Sequence, residues 1–175
     1  KGQQGAGVTG VDCNRIALIV QNPDIIVAEC GNRGNGEHDG KGLSTMIKSF
    51  SRWLTETALG RYLLQQEQAW FDRAVADVFG YRAVQIGVPQ VDLLRKNRIA
   101  WRCRAGRKPV GADIVCDPAQ LPFASASLDL LLMPHGLDFT IFPHQVLREV
   151  ERVLVPEGRL ILTGFNPVSL WGVRR

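Results

Sequence analysis

Two side chains that could do chemistry each follow a predicted strand. Asp117 comes directly after the predicted strand Asp113–Cys116, and His135 lies just past the apolar strand Leu128–Met133. A carboxylate can accept hydrogen bonds from a ligand, and an imidazole titrates near neutral pH and can act as a general base. Each residue also has a simpler explanation, because an Asp before a proline is common in turns and a loop histidine can cap a strand end. The residue types alone leave both explanations open.

The other candidate groups carry weaker signals. Asp138 lies three residues past His135, His144 follows Pro143 at a predicted helix start, and His38 belongs to a Gly-rich segment. No run approaches the roughly 18 apolar residues of a membrane helix, and we expect no secretory signal. The scattered cysteines lack metal-ligand spacing and predict neither zinc nor a disulfide framework, which favours a reducing, cytoplasmic location. They are Cys13, Cys30, Cys103 and Cys116.

Positive charge is concentrated in one window of the chain. The 175 residues carry a net charge of +4, but residues 82–108 hold eight basic residues against one acidic residue, so the window carries +7 and the rest −3. Such a patch can bind nucleic acid or another polyanion, and it can equally be a solvated strand edge and loop. Besides Arg82, the candidate nucleic-acid contacts are Arg95, Lys96, Arg98, Arg102, Arg104, Arg107 and Lys108.

The first 80 residues read as two segments. Residues 1–43 hold nine of the 18 glycines and predict a flexible or non-native extension. Residues 44–80 predict a helical lead-in, with an interruption at Gly60 and an end at Gly80, where a glycine favours helix termination. Glu67 lies on the otherwise apolar face of this lead-in.

From residue 81 onward the pattern alternates between strands and helix. Residues 81–175 therefore predict a partial α/β domain built on an open, mostly parallel sheet with right-handed crossovers. A helix begins at Pro143 and is expected to stop at Pro156. The predicted strands are Ala83–Ile86, the stretch around Ile99–Cys103, Asp113–Cys116, Leu128–Met133 and Arg159–Thr163.

Three runs in this region carry a family resemblance. They are Asp117-Pro-Ala-Gln-Leu-Pro-Phe123, Ser127-Leu-Asp-Leu-Leu-Leu132 and the run from Leu147 to Leu162. In this order and spacing they resemble the second half of the class I S-adenosylmethionine-dependent methyltransferases, of the type-11 kind. The resemblance implies a Rossmann-like methyltransferase fold, S-adenosylmethionine as cofactor, and methyl transfer to an acceptor that the sequence does not identify.

The resemblance also implies roles for individual residues. In the family's manner, the Asp117 carboxylate accepts from the adenine amino group, while Leu121 and Phe123 wall the adenine. His135, at the end of the sheet where this fold places its acceptor, is the predicted catalytic residue. The predicted cofactor-binding residues are Gly87, Asp117, Pro118, Leu121 and Phe123. Asp129, Glu149 and Arg152 are expected to be structural, with Asp129 fixing a strand entry.

The chain departs from the family's pattern around its first strand. The family has hydrophobic-Asp-hydrophobic-Gly-x-Gly-x-Gly there, whereas this sequence reads Ala83-Val-Gln-Ile-Gly-Val-Pro-Gln90. The acid that grips the ribose should follow about 20 residues later, but the run Arg102-Cys-Arg-Ala-Gly-Arg-Lys108 has no acidic residue. Because the chain also ends soon after the fifth strand, we expect a degenerate, truncated domain with weak or absent cofactor affinity.

Three hypotheses follow from the sequence. The first is a cytoplasmic S-adenosylmethionine-dependent methyltransferase of unknown acceptor. The second is an inactive methyltransferase-like module that binds nucleic acid or a protein partner through the basic window 82–108. The third is an α/β domain without a ligand. The fold alone does not choose an acceptor, because one fold serves many functions.

Overall fold

The computed structural model describes residues 50–164. Residues 50–56 are helical (α1), and the second helix, α2, follows at Ala58–Ala74. The predicted extension 1–43 lies outside the described residues, as do 44–49 and 165–175. The remaining elements are β1 (Arg82–Ile86), β2 (Trp101–Gly106), β3 (Ile114–Val115), β4 (Leu128–Pro134), α3 (Pro143–Val153) and β5 (Leu154–Thr163).

The five strands form one sheet in the order β3-β2-β1-β4-β5. Every neighbouring pair is parallel, which confirms the predicted parallel sheet and Rossmann-like fold class. β1 pairs with β2 on one side and with β4 on the other, so the strand order reverses between β1 and β4. In open α/β sheets a ligand binds outside the carboxyl ends of the strands at such a reversal.

Side chains from both faces of the sheet are buried, because helices cover each face. Leu130 and Leu132 of β4 point toward α2, whose Phe71 belongs to the same apolar cluster. Leu131 and Met133 point to the opposite face and pack with Val150 of α3 and its neighbours. This explains why β4 is a continuous apolar run, since period-2 alternation needs one solvated face.

Helix α2 begins and ends at other residues than predicted. Thr57 caps its start, with Oγ1 accepting from the Gly60 amide at 3.0 Å. Gly60 therefore lies inside the first turn, where a Cβ would collide with the backbone of Trp53. The helix ends at Ala74 rather than at Gly80. The predicted helix-ending role of Gly80 was therefore wrong.

Asp129 fixes the entry into β1, as expected. Its Oδ2 accepts from the amides of Tyr81 (2.8 Å) and Arg82 (2.9 Å), the residues that lead into the strand. Gly80 lies against the Asp129 side chain, and a Cβ at residue 80 would collide with it. The amino ends of β1 and β4 are thereby tied together.

The change from α3 to β5 is more abrupt than predicted. The helix ends at Val153 and β5 starts at Leu154, two residues before the expected stop at Pro156. The pairing of β4 with β5 shifts register between Leu128 and Leu130, which accommodates residues 155–158 as an irregularity within one long strand. Within residues 50–164, no helix is both long and apolar enough to cross a bilayer.

Candidate functional site at the carboxyl edge of the sheet

The carboxyl ends of the parallel strands collect the candidate residues along one edge. Gly87 follows β1, Arg107 follows β2, Asp117 comes shortly after β3, and His135 follows β4. Gly87 also lies beside the end of β4, since a Cβ there would be 3.1 Å from the Pro134 carbonyl oxygen. The structure therefore brings Gly87, Asp117 and His135 to the same edge of the sheet.

Asp117 presents a largely exposed carboxylate at this edge. Its Oδ1 accepts from the Ala119 amide (3.0 Å) and from the Arg107 guanidinium (3.2 Å). The Asp117 side chain is 51% exposed. Within residues 50–164, the described hydrogen bonds of this side chain all involve Oδ1, so Oδ2 is available to accept from a ligand. The turn predicted for Asp117 and its availability as a ligand contact are thus compatible.

The segment after Asp117 is held by an ion pair on α3. The guanidinium of Arg152 donates to the carbonyl oxygens of Leu121 (3.1 Å) and Phe123 (2.9 Å), and Glu149 accepts from the Leu121 amide (3.0 Å). Arg152 also bonds to Glu149, and this bond lowers the pKa of Glu149 despite partial burial. These residues are structural, as expected, but they act on the predicted cofactor segment rather than only on their own helix.

The predicted adenine wall is not assembled as expected. The ring of Phe123 packs edge-on against Trp101, at a centroid distance of 6.5 Å. Because Trp101 is the first residue of β2, Phe123 lies toward the amino ends of the strands, away from Asp117. Leu121 is buried in the core with α3, and Pro118 is also buried. The structure does not bring Phe123 to the site edge, and cofactor contact by Leu121 and Pro118 stays a prediction.

His135 lies at the centre of a buried cluster with two carboxylates. Its Nδ1 is 2.9 Å from Asp138 Oδ2, and its Nε2 is 2.9 Å from Glu67 Oε1 on α2. The side chains of His135 and Glu67 are 2% and 3% exposed, and that of Asp138 is 18% exposed. The Phe50 ring of α1 contacts the imidazole edge-on at 4.9 Å. The cluster therefore joins both described helices of the lead-in to the end of β4.

The two carboxylates determine the charge of the His135 ring. Burial by itself would lower the pKa of His135, but hydrogen bonds to Asp138 and Glu67 and their negative charges outweigh burial and raise the pKa to about 9. At neutral pH the ring is then an imidazolium that donates from both nitrogens. In this state it has no lone pair with which to accept a proton. The catalytic role of His135 stays a prediction, and it differs from that of a free base.

The backbone around His135 supports this inward orientation. His135 has φ 54°, in the left-handed region that few residues other than glycine adopt. Its amide donates to the Thr163 carbonyl oxygen at 2.8 Å, which links the ends of β4 and β5. The Thr163 hydroxyl is buried and has no hydrogen-bond partner among the described residues. An unpaired buried hydroxyl at this edge marks a place where a water molecule or a ligand could bond.

Sequence reasoning missed Glu67 as a site residue, although a signal was present. A charged residue in the apolar stripe of a helix is rarely buried without a partner, and Glu67 occupies such a position. The spacing along the chain could not identify that partner, since His135 is 68 residues away. His144 is exposed at the start of α3, and His38 lies outside the described residues.

Much of the basic window serves the fold. Arg95 pairs with Asp72 at 2.9 Å, and Arg102 donates to the carbonyl oxygens of Leu94 and Asn97 at 3.2 Å. Arg104 donates to the Pro89 carbonyl oxygen, and Arg107 bonds to Asp117. These contacts reduce the cationic surface available to a polyanion. Nucleic-acid binding through the basic window stays a prediction, and fewer of the eight basic side chains are available for it.

Comparison with known proteins decides the family. Residues 74–162, just over half of the chain, match the methyltransferase domain family. The chain belongs to this family. The membership confirms the resemblance to the class I S-adenosylmethionine-dependent methyltransferases, and it implies S-adenosylmethionine as the cofactor of the methyltransferase domain.

Two curated proteins match parts of the chain in sequence. The chain is 31% identical over 114 residues to the uncharacterized protein YafS of Escherichia coli (strain K12), covering 65% of this chain and 46% of YafS. It is 40% identical over 63 residues to the mitochondrial 2-methoxy-6-polyprenyl-1,4-benzoquinol methylase of Caenorhabditis elegans, covering 35% of this chain and 22% of that protein. The chain thus spans less than half the length of these curated relatives.

A solved structure shares the arrangement of the sheet. An S-adenosylmethionine-dependent methyltransferase from Thermotoga maritima superposes with a TM-score of 0.54 at 23% identity. The superposition covers 74% of this chain and 65% of that one. At this level of identity the likeness concerns the fold of the methyltransferase domain.

The carboxyl edge fits the cofactor at three points, and it departs from the family's pattern in the loop after β1 and again after β2. Gly87 has φ 92° and leaves room for close approach, and the reversal of strand order lies between β1 and β4. Asp117 offers Oδ2, which has no hydrogen bond to another residue of the described part of the chain. After β2, Arg107 presents a guanidinium in the region of the expected ribose acid. A guanidinium can still donate hydrogen bonds to the ribose hydroxyl oxygens, whereas the family's acidic residue would accept hydrogen bonds from those hydroxyl groups.

Proposed function

We propose that this chain forms the cofactor-binding part of an S-adenosylmethionine-dependent methyltransferase whose acceptor binds beyond the ends of β4 and β5. The observation that carries the proposal is the common position of Gly87, Asp117 and His135 at the carboxyl edge of a parallel sheet with reversed strand order. Family membership supports the same conclusion. The identity of the acceptor is not part of the proposal.

The residues of the chain would act mainly by positioning. When bound, S-adenosylmethionine supplies an electrophilic methyl group on a sulfonium. Oδ2 of Asp117 would accept from the adenine amino group, and the backbone at Gly87 would lie beside the rest of the cofactor. Holding an acceptor nucleophile in line with the methyl group accounts for much of the rate acceleration in such a transfer. An external base is then needed only where the nucleophile carries a proton.

In this proposal His135 orders the acceptor end of the site. An imidazolium between Glu67 and Asp138 holds α2 against the end of β4 and orients Asp138, whose carboxylate is the more exposed of the two. Asp138 rather than His135 is then the group of this cluster that can reach a ligand. Gly164, after β5, packs against Asp138, where a Cβ would be 3.0 Å from Oδ1.

Calorimetric titration with S-adenosylhomocysteine tests the cofactor site. We expect the wild-type chain to bind stoichiometrically and Asp117→Asn to bind at least about tenfold more weakly, the loss of one hydrogen bond to a charged group. Asp113→Asn is the matched control, because Asp113 precedes the same strand β3 and bonds to Arg104 rather than facing the edge.

Each outcome of this titration decides something specific. Absence of binding by the wild-type chain would overturn the proposed function. Equal affinities of the wild-type chain and Asp117→Asn would show that the cofactor does not use Asp117. A similar loss in Asp113→Asn would mean that the effect is a general disturbance of β3.

A further inference from the structure

The loop after β1 is organised by one buried side chain, Gln85. The Gln85 side chain is fully buried in β1. Its Nε2 lies within hydrogen-bond distance of the carbonyl oxygens of Gly87 (3.2 Å), Val88 (3.1 Å) and Val91 (2.8 Å). Its Oε1 accepts from the Leu93 amide at 2.9 Å. A single carboxamide therefore contacts the loop at its beginning, middle and end.

The loop adopts a backbone course that needs such support. Gly87 and Val88 both have positive φ, 92° and 43°. A β-branched residue is an outlier in the left-handed region, and such a conformation persists only where the surroundings impose it. The carbonyl oxygens of these same two residues accept from Gln85. The side chain thus acts at the residues where the backbone is least favourable.

The loop in turn lies against the segment that follows β2. A Cβ at Gly106 would be 3.1 Å from the Pro89 ring, and one at Gly111 would be 3.0 Å from the Pro89 carbonyl oxygen. Arg104 donates to that oxygen at 3.3 Å. The position of Pro89 therefore sets the spacing between the loops after β1 and β2, which border the proposed cofactor site.

A carboxamide provides both a donor and an acceptor at every pH. The NH₂ group supplies two hydrogens for the carbonyl oxygens, and the oxygen accepts from the Leu93 amide. A carboxylate could satisfy the amide but would place a negative charge beside three carbonyl oxygens. The family's pattern has Asp at this position. An ionised Asp could only accept hydrogen bonds from the loop, whereas Gln85 also donates to its carbonyl oxygens.

We propose that Gln85 is a positioning residue for the cofactor, which fixes the course of residues 87–93 and so replaces the two glycines that this chain lacks. This inference rests on the proposed function, since it assumes that the loop borders bound cofactor. In this proposal the buried Gln85 side chain, rather than glycines within the loop, holds the loop in its conformation.

Gln85→Glu gives a nearly isosteric test with a pH signature. A protonated carboxyl group can donate one hydrogen bond to the carbonyl oxygens and accept from the Leu93 amide, whereas an ionised one can only accept. We expect the ratio of variant to wild-type dissociation constants for S-adenosylhomocysteine to be near one at about pH 5 and to rise at least about tenfold by about pH 8. Hydrogen exchange of the amides in 88–93 should accelerate over the same range. Gln65→Glu, the same exchange at an exposed position of α2, should change neither quantity.

Gln85→Met tests the same role of Gln85 if Gln85→Glu unfolds at high pH. It removes the hydrogen bonds without adding charge, so we expect weaker binding and faster loop exchange at every pH. Unchanged affinity and exchange in both variants would overturn the proposal. If the wild-type chain binds no S-adenosylhomocysteine, the proposed function and the cofactor role of Gln85 both fail, and the exchange data separately decide whether Gln85 orders the loop.

Discussion

Nε2 of His135 lies 2.9 Å from a carboxylate oxygen of Glu67, in a contact that is almost fully buried and joins α2 to the end of β4. Asp138 binds the other ring nitrogen. An imidazolium between two carboxylates is a stable arrangement inside a protein only while all three groups remain paired. The cluster therefore joins α2 to the end of β4, and loss of any one of its charged groups should destabilise the fold.

The charge of His135 makes stability depend on pH. The pKa rises from 6.5 in the unfolded chain to about 9 in the folded one. The resulting stabilisation, roughly 3 kcal/mol at about 1.4 kcal/mol per pH unit, is complete below about pH 6.5 and is lost as the pH rises through about 9. Urea denaturation of the wild-type chain and of His135→Gln between about pH 6 and pH 9 gives the free energy of unfolding of each protein. The contribution of His135 is the difference between the two slopes of this free energy against pH. The thiols of Cys103, which is buried, and Cys116, which is half-buried, have pKa values raised by burial, and their contributions cancel in this comparison. Parallel curves for the two proteins would contradict the prediction.

Removing one carboxylate should weaken both the fold and the charge of the ring. In Glu67→Gln the imidazole loses a buried charged partner, and we expect the free energy of unfolding to fall by about 3 kcal/mol. Proton NMR titration of the imidazole should show a lower pKa for His135 than in the wild-type chain. Glu56→Gln is the control, because Glu56 is exposed in α1. An unchanged His135 pKa in Glu67→Gln would mean that Asp138 alone sustains the charge.

The Asp129 carboxylate should contribute to stability through two backbone amides. Asp129→Ala leaves the amides of Tyr81 and Arg82 without their acceptor. Because both hydrogen bonds go to a charged group, we expect the free energy of unfolding to fall by about 2 kcal/mol. Asp129→Asn retains an acceptor oxygen and should cost less than half as much. Thermal and urea unfolding measure both variants, with the exposed Asp77→Ala as control. Equal losses in the Ala and Asn variants would show that charge, not acceptor geometry, matters.

The guanidinium of Arg152 should hold the segment that follows Asp117. Arg152→Met removes its bonds to the carbonyl oxygens of Leu121 and Phe123 and to Glu149, so we expect about 2 kcal/mol lower stability and faster exchange of the Leu121 amide. Arg152→Lys should restore little, since an ammonium cannot span these acceptors as a planar fork does. Arg148→Met, on an exposed position of the same helix, is the control. A full rescue by Lys would argue that charge alone is required.

The sheet was largely predictable because burial on both faces leaves a clear pattern. The run from Leu128 to Met133 could only be a central strand, and the structure makes it β4 with helices on both sides. The role of Asp129 was also predictable, since a polar residue at the start of such a strand must find backbone donors. Boundaries were less predictable. Gly80 suggested a helix end by its residue type, but α2 ends at Ala74 and Gly80 instead packs closely against the Asp129 side chain.

The candidate site was predictable in position but not in its contacts. Asp117 and His135 follow strands, and parallel strands bring their carboxyl ends to one edge, so the edge could be inferred from sequence. The contact of Phe123 with Trp101 was not predictable, because the direction of a ring after a turn depends on the neighbours that the fold brings to it. The basic window looked like one surface, whereas Arg102 and Arg104 are committed to backbone carbonyl oxygens.

By itself, the sequence indicated the class of fold through its alternation of apolar strands and helices, and the family through the motifs that resemble it. It also placed Asp117 and His135 after strands, and therefore at one edge of a parallel sheet. Only the tertiary structure decided that the His135 ring lies between Glu67 and Asp138, whose contacts raise its pKa, and that Gln85 lies under the loop after β1. The physical reason is that a buried polar group takes its character from its partners. For His135 and Glu67, those partners are brought together only when α2 packs across the end of β4.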